Sequence, residues 1–361
     1  MNDTPAPPRC VAITCMRDDG SYILEWLAHH IPRGFDHFLI LTHDCTDGTP
    51  ALLNALAAAG IVTHVPFQRR GKATAQWQAL KLARAHPLLE TTDWALFFDC
   101  DEFLWLPPDL PTIQHLLAAF EAQSGPFDAL TIPWRFYGAG GAQAREEGLT
   151  PERFVAAAPP DLHFPMAHLF KSLIRPACFD KLGVHRPKRH SGPGLPRWLA
   201  ADGTPLPPIF ARQSARISLY GTPRGQDRIG LNHYSLRSVE EFLVKRQRGL
   251  PNHMDRQIGL DYWVERNWNT VQDTRLLPML DATRATLAEL LSLPGVHEAH
   301  QACHAAYAKR AQQVRDNLDT LRLAWQIGLL AENRPPSPEQ AALYIRDQLS
   351  IRDRDGAANQ P

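Results

Sequence analysis

Four short apolar runs, interleaved with stretches of helical spacing, constrain this chain more than any other feature. Cys10-Val-Ala-Ile-Thr-Cys15 reads as a short buried strand, and Tyr22, Leu24, Trp26, Leu27 and Ile31 follow at amphipathic-helix spacing. Phe38-Leu-Ile-Leu41 is a second strand, trailed by the turn Asp44-Cys-Thr-Asp-Gly-Thr49. The run Ala51 to Ala59 is helical in composition and stops at Gly60, a helix-ending residue. Ile61 to Phe67, Thr74 to Ala85 and Trp94 to Phe98 continue as strand, helix and strand. Such alternation predicts an α/β fold, a mostly parallel sheet flanked by helices. Parallel strands bring their C-terminal loops to one edge, where open α/β sheets bind ligands.

Every one of those loops carries polar groups. Arg17-Asp18-Asp19 follows the first strand, Asp44 and Asp47 the second, and Gln68-Arg69-Arg70-Gly71-Lys72 the third. The fourth runs through Trp94-Ala-Leu-Phe-Phe-Asp-Cys-Asp-Glu-Phe-Leu104 and ends in Asp99, Asp101 and Glu102. An isolated Asp-x-Asp is usually a capped strand and a solvated turn. Here two carboxylates, Arg17 and Lys72 meet at one edge, as a metal-bound pyrophosphate requires: carboxylates hold the cation, and bases meet phosphate oxygens. Neither Gly-x-Gly-x-x-Gly nor Gly-x-x-x-x-Gly-Lys-Ser/Thr is present, which disfavours nicotinamide and P-loop sites. A phosphatase with an aspartyl nucleophile also places Asp-x-Asp after a buried strand, but Phe103 stands where its pattern carries Thr or Val.

Lys plus Arg equals Asp plus Glu at 38 each, so no global field favours a nucleic acid polymer or an anionic membrane. The six cysteines form no Cys-x-x-Cys pair, which predicts reduced thiols and a cytoplasmic protein. No run approaches the roughly eighteen apolar residues of a spanning helix. The expected protein has no transmembrane segment and at most rests on the inner face of a membrane. Pro187 to Pro208, rich in Pro and Gly, reads as a long surface excursion.

The ordered motifs resemble bacterial glycosyltransferases of the family 2-like group. The matching segments begin with Thr14-Cys-Met-Arg-Asp-Asp-Gly20, Tyr22-Ile-Leu-Glu-Trp-Leu-Ala-His-His30 and Gly34-Phe-Asp-His-Phe-Leu-Ile40. They continue through Phe97-Phe-Asp-Cys-Asp-Glu-Phe-Leu104, Asn232-His-Tyr-Ser235, Glu241-Phe-Leu-Val-Lys245 and Arg248-Gly249. The resemblance covers roughly residues 9 to 275. It implies a GT-A fold, a UDP- or GDP-sugar donor, Mn²⁺ or Mg²⁺, and a saccharide or glycolipid acceptor. A hexosyltransferase of cell-surface polysaccharide assembly is the implied role; a non-catalytic nucleotide-sugar-binding or scaffolding protein on a diverged GT-A fold is the alternative. Carried over by position, Asp99 and Asp101 match the metal and donor motif, with Asp101 the direct ligand, while Arg17 and Asp44 line the nucleotide pocket. Tyr137-Gly-Ala-Gly-Gly141 departs from the family pattern, which has a His there.

His233, in Leu231-Asn-His-Tyr-Ser235, is the expected further metal ligand, with His185 second to it. Lys171 and Arg175 are set to reach donor phosphates or acceptor charge. An inverting transfer also needs a base for the acceptor hydroxyl, and Glu152 and Asp180 are the acidic candidates. The expected organisation is a disordered 1–8, a glycosyltransferase domain over 9–275, a helical region over 276–352 and a disordered tail over 353–361. In the helical region Val296, Ala299, Cys303, Tyr307, Val314, Leu318, Leu321 and Trp325 predict one long amphipathic helix. It would pack on the catalytic domain or join two copies of the chain.

Overall fold

The apolar runs become strands at the expected places in the computed structural model, which describes residues 6–222, 225–249, 257–330, 335, 337–342 and 345–346. The first half alternates β1 (Cys10–Met16), α1 (Gly20–His30), β2 (His37–Thr42), α2 (Thr49–Ala58), β3 (Val62–Pro66), α3 (Ala75–Arg84) and β4 (Trp94–Phe97). Gly60 takes the left-handed conformation just beyond α2, at φ 77°, where a side chain would be strained. Next come β5 (Glu102–Trp105), α4 (Ile113–Ser124), β6 (Ala129–Phe136), α5 (Thr150–Arg153), β7 (Ala156–Ala157) and β8 (Phe170–Ile174). The chain continues through β9 (Phe179–Lys181), β10 (Lys188–His190), β11 (Trp198–Leu199), α6 (Pro208–Arg212) and β12 (Gly230–His233). It ends with α7 (Val239–Arg248), α8 (Leu260–Val264), β13 (Val271–Gln272), α9 (Leu280–Leu291), α10 (Val296–Arg315) and α11 (Leu318–Leu329).

The main sheet has the order β3-β2-β1-β4-β8-β6-β12-β5, with β11 beside β6. Its β1, β2, β3 and β4 pair in parallel, as the alternation predicts. Two antiparallel insertions make it mixed. β8 runs against both β4 and β6, and β5 runs against β12. Those two reversals build the site. Leu96 pairs with Leu173, which brings the start of β8 and Lys171 beside the end of β4. His233 pairs with Glu102, one residue beyond Asp101.

Alternation along each strand feeds a core on either face. Cys10 and Ala12 join α1 and α2 in one core, whereas Val11, Ile13 and Cys15 join α3 in the other. Pro187 to Pro208 does not stay on the surface as expected: Trp198 and Leu199 return to pair with β6 and are buried. Two adjacent apolar residues flanked by Pro and Gly signal a turn more strongly than a two-residue strand.

The C-terminal region also departs from expectation. Two helices form rather than one, because Asn317 caps α11 by accepting hydrogen bonds from the Asp319 and Thr320 amides. The break resets the buried face. Val296, Cys303 and Val314 are buried on α10, but Leu318, Leu321 and Trp325 are exposed, Trp325 at 71%. Leu323 and Ile327 pack instead. α10 lies against α1, α2 and α7, so it packs on the sheet unit. No helix among the described residues is long and apolar enough to cross a membrane. The expected tail over 353–361 lies outside the described residues.

Two histidines lock α1 to β5. His30 Nδ1 donates to the Trp26 carbonyl at 2.7 Å, and its Nε2 accepts the Leu104 amide at 3.1 Å. His29 Nε2 donates to the Leu104 carbonyl at 2.8 Å. Burial pushes His30 down to about 3 and His29 well below 6.5, so both are neutral in the fold. Unfolded, each would take a proton near pH 6.5. The unfolded state therefore binds more protons below that pH, and stability falls by about 1.4 kcal/mol per unit per histidine. Urea unfolding at pH 7 and pH 4.5 is expected to differ by about 5 kcal/mol from this pair. A midpoint unmoved between the two pH values would refute the neutral assignment.

Candidate active site

A tight turn after β4 presents the carboxylates. The Glu102 amide donates to the Asp99 carbonyl at 3.0 Å, and Glu102 Oε2 accepts the Asp99 amide at 3.0 Å. The Tyr234 amide donates to the Asp101 carbonyl at 2.9 Å, tying the end of β12 to the same turn. Each aspartate faces a lysine, Lys171 fully buried and Lys245 partly so. Lys171 Nζ donates to Asp99 Oδ2 at 2.9 Å and lies 3.6 Å from Glu102 Oε1; Gln76 Nε2 donates to Asp99 Oδ1 at 3.1 Å. Lys245 Nζ, from α7, donates to Asp101 Oδ2 at 2.7 Å and to the Ser235 carbonyl at 2.8 Å.

The charges follow from these contacts. Burial opposes ionisation of Asp101, but Lys245, with help from His233, outweighs it and holds the carboxyl well below its ordinary range. Burial likewise opposes the charge on Lys171, yet Asp99 and Glu102 keep it above 10.5. Glu102 itself is pushed well above 4.5 by burial, against the pull of Lys171. His233 Nε2 stands 3.5 Å from Asp101 Oδ1, an oxygen that is buried and takes no hydrogen bond. Burial lowers His233, partly offset by Asp101.

The turn floors a cavity of about 300 Å³, within the size range of small-ligand sites. Its far wall comes from the C-terminal helices. Arg248 on α7 pairs with Asp19, and Arg310 on α10 donates to Asp18 Oδ2 at 2.9 Å. Both acids belong to the β1–α1 loop, so α7 and α10 clamp the first loop of the sheet. Aromatic faces of Tyr22, Trp134, Tyr262 and Tyr307 complete the lining.

Of the residues expected from sequence, Asp99, Asp101 and His233 meet in this cavity. His185 also lines it; Nδ1 donates to the Phe170 carbonyl at 3.0 Å, and burial lowers the ring to about 4. Arg17, Asp44 and Lys72 stand outside the cavity wall. Arg17 Nε lies 3.8 Å from Asp18, Asp44 accepts from His43 Nδ1 at 3.0 Å, and Lys72 is exposed in the β3–α3 loop. Glu152 caps α5 by accepting the Leu149 amide at 3.0 Å and pairs with Arg284. Asp180 is exposed on the β9–β10 hairpin. Neither reaches the cavity. Lys171 turns to Asp99 rather than outward, and Arg175 leaves for Glu121 at 2.7 Å.

Sequence reasoning did not assign Lys245, Arg248 or Arg310 to the site. A signal existed for two of them: Lys245 and Arg248 stand three apart on a short helix, which puts two cations on one face. Arg310 carried none, since its partner Asp18 lies 292 positions away.

Comparison with known proteins narrows the identity. A glycosyltransferase family 92 protein of rice (Oryza sativa subsp. japonica) is 25% identical over 170 residues, 46% of this chain and 26% of that protein. The chain thus spans about a quarter of that relative's length. The crystal structure of S. aureus TarS 1-349 aligns with 85% of this chain and 91% of its own, at 13% identity and a TM-score of 0.33. A mannosyltransferase of Pyrobaculum calidifontis, in complex with GDP-Man and Mn²⁺, aligns with 90% of this chain and 88% of its own, at 15% identity and a TM-score of 0.33. Likeness at that level says nothing of this chain's ligands. The family model for glycosyltransferase family 92 matches residues 9–197, more than half of the 361, and takes in β1 through β8 with Asp99, Asp101 and Lys171. The family 2-like assignment gains no support from that match. By this measure, the chain belongs to glycosyltransferase family 92.

Proposed function

We propose that the cavity at the end of β4 transfers a sugar from a nucleoside-diphosphate sugar, of UDP or GDP, to a hydroxyl acceptor. The observation that carries this reading is Asp101. Its Oδ1 is buried without a hydrogen bond and faces the His233 ring nitrogen at 3.5 Å. Two donors of the right chemistry already converge there. A hard divalent ion such as Mn²⁺ or Mg²⁺ fits them if the diphosphate and water supply its remaining oxygen ligands. Among the described residues no group of three His, Cys, Asp or Glu closes on one point, so the chain alone does not complete a metal shell. Asp99 is spoken for on both oxygens and serves the site through Lys171.

Such an ion, when bound, would neutralise charge growing on the leaving diphosphate. The protein's own groups do the rest. Lys245 and Arg248 set cations on the α7 wall opposite Asp101 and Asp19, and fixed charges inside a protein cavity act more strongly than in water. Trp134 and Tyr262 add aromatic surface to the lining, with their rings already packed by His233 and by Arg266. Glu152 and Asp180, expected as bases, take no part in this reading because neither reaches the cavity. An acceptor of saccharide or glycolipid type and a role in polysaccharide assembly rest on resemblance alone.

One observation favours a second reading. Each carboxylate of the motif already carries a lysine, so bound cations of the chain would neutralise the diphosphate without a metal. Calorimetric titration of UDP and GDP, with Mn²⁺ and then with EDTA, separates the readings. Binding of one nucleotide only with Mn²⁺ is the expected result. Equal binding in EDTA favours the lysine reading, and no binding of either nucleotide defeats both in favour of a scaffold.

A further inference from the structure

Arg237 is the cavity residue whose chemistry is least used by the fold. It lies between β12 and α7, just before the Ser238 cap, with its side chain among the cavity-lining groups. The residue is 8% exposed, yet Nε and Nη2 are buried and take no hydrogen bond. Its guanidinium is stacked on the Tyr22 ring, 3.9 Å from the centroid. Stacking occupies the flat face and leaves the N–H edge unspent. The backbone is left-handed at φ 58°, a conformation that bulky residues rarely adopt. Buried N–H donors are nearly always paired in folded proteins, and an exception calls for an explanation.

An anionic oxygen supplies one. Guanidinium forks bind phosphate through two parallel N–H bonds, which a point-charge ammonium cannot imitate. The surroundings already pair the other cations: Lys245 with Asp101, Arg248 with Asp19 and Arg310 with Asp18. Arg237 has no such hydrogen-bonded acid. Glu241 and Glu25, the acids that share its field beside Asp101, spend their oxygens on Tyr22, Arg153 and Ser238 and on Thr150. We propose that Arg237 forms a phosphate-binding subsite of the cavity, reading phosphoryl oxygens with its free N–H edge. The inference deepens the transferase reading when the phosphate belongs to the donor diphosphate. It stands apart from that reading when the phosphate belongs to an acceptor.

Arg237 also lies in the field of Asp101 and Glu241, so a structural counter-charge must be told apart from a ligand contact. Arg237→Lys does this, since it keeps the charge and removes the fork. Uridine, UDP, GDP and pyrophosphate are titrated in EDTA and in Mn²⁺ into the full chain, Arg237→Lys and Arg237→Met, with thermal melting alongside. The expected result is an affinity for UDP or GDP about tenfold lower in Arg237→Lys and up to about a hundredfold lower in Arg237→Met. Uridine should bind all three alike, and Arg237→Lys should melt with the parent. If neither nucleotide binds the parent but pyrophosphate does, and the lysine variant loses it, the donor reading fails while the phosphate subsite stands as an acceptor's. Undiminished nucleotide and pyrophosphate affinity in both variants overturns the proposal. So does a parent that binds none of the phosphate probes.

Discussion

Asp101→Asn is expected to lower turnover of the nucleotide-sugar donor by about 10²- to 10³-fold, the range seen when one charge-stabilising group leaves an active site. Release of nucleoside diphosphate from the donor by water is the assay, since it needs no acceptor. The substitution keeps shape and removes the anion that faces both His233 and Lys245. Affinity for Mn²⁺ with nucleotide should fall in step with turnover. A purely structural effect has to be excluded, because a partly buried lysine loses its partner. The amide oxygen of Asn still accepts from Lys245, and Ser235 offers a second acceptor, so the stability loss should be about 1 to 3 kcal/mol. Asp101→Asn with Lys245→Met removes both charges and should recover most of that loss. It should not recover metal affinity. If the single variant bound Mn²⁺ and nucleotide as the parent does, Asp101 would hold no metal.

How much of this site was legible in the sequence depends on the range of the interaction. β1 to β4 and α1 to α3 formed within a few residues of the apolar and helical runs, because burial period and cap residues are local signals. The strand-end rule then placed Asp99 and Asp101 at the edge of the sheet that carries the cavity, without any knowledge of the rest of the sheet. His233 was reachable through motif resemblance. The lysines were not. Lys171 meets Asp99 only because β8 is inserted antiparallel beside β4, a pairing 72 positions apart that no periodicity encodes. Lys245 meets Asp101 across 144 positions because β12, which leads into α7, runs antiparallel beside β5. The long C-terminal helix misled because Leu318, Leu321 and Trp325 continue an apolar spacing past Asn317. Capping chemistry outweighed the pattern there.

Lys171→Met should give the largest loss of stability of any single change at the cavity floor. Its ammonium is fully buried and is the cation that touches both Asp99 and Glu102. Removing one partner from a buried charge cluster typically costs about 3 to 5 kcal/mol, because the remaining charges keep their desolvation without the attraction. Glu102 softens the effect: burial already pushes it well above the ordinary carboxylate range, so a proton can replace the lysine's charge. Asp99 is the more exposed acid, at 32% of its side chain, and would turn toward solvent. Two consequences follow for chemical unfolding at neutral pH. Lys171→Met alone should lose about 3 kcal/mol, and adding Glu102→Gln should restore roughly half, since the neutral amide fills the space with no charge to compensate. Loss below about 1 kcal/mol in the single variant would show that solvent, not Lys171, balances these acids. The order of the two effects matters for function as well. If Lys171 holds Asp99 in place, the double variant regains its fold but not its donor turnover, and the lysine belongs to the site rather than to the core.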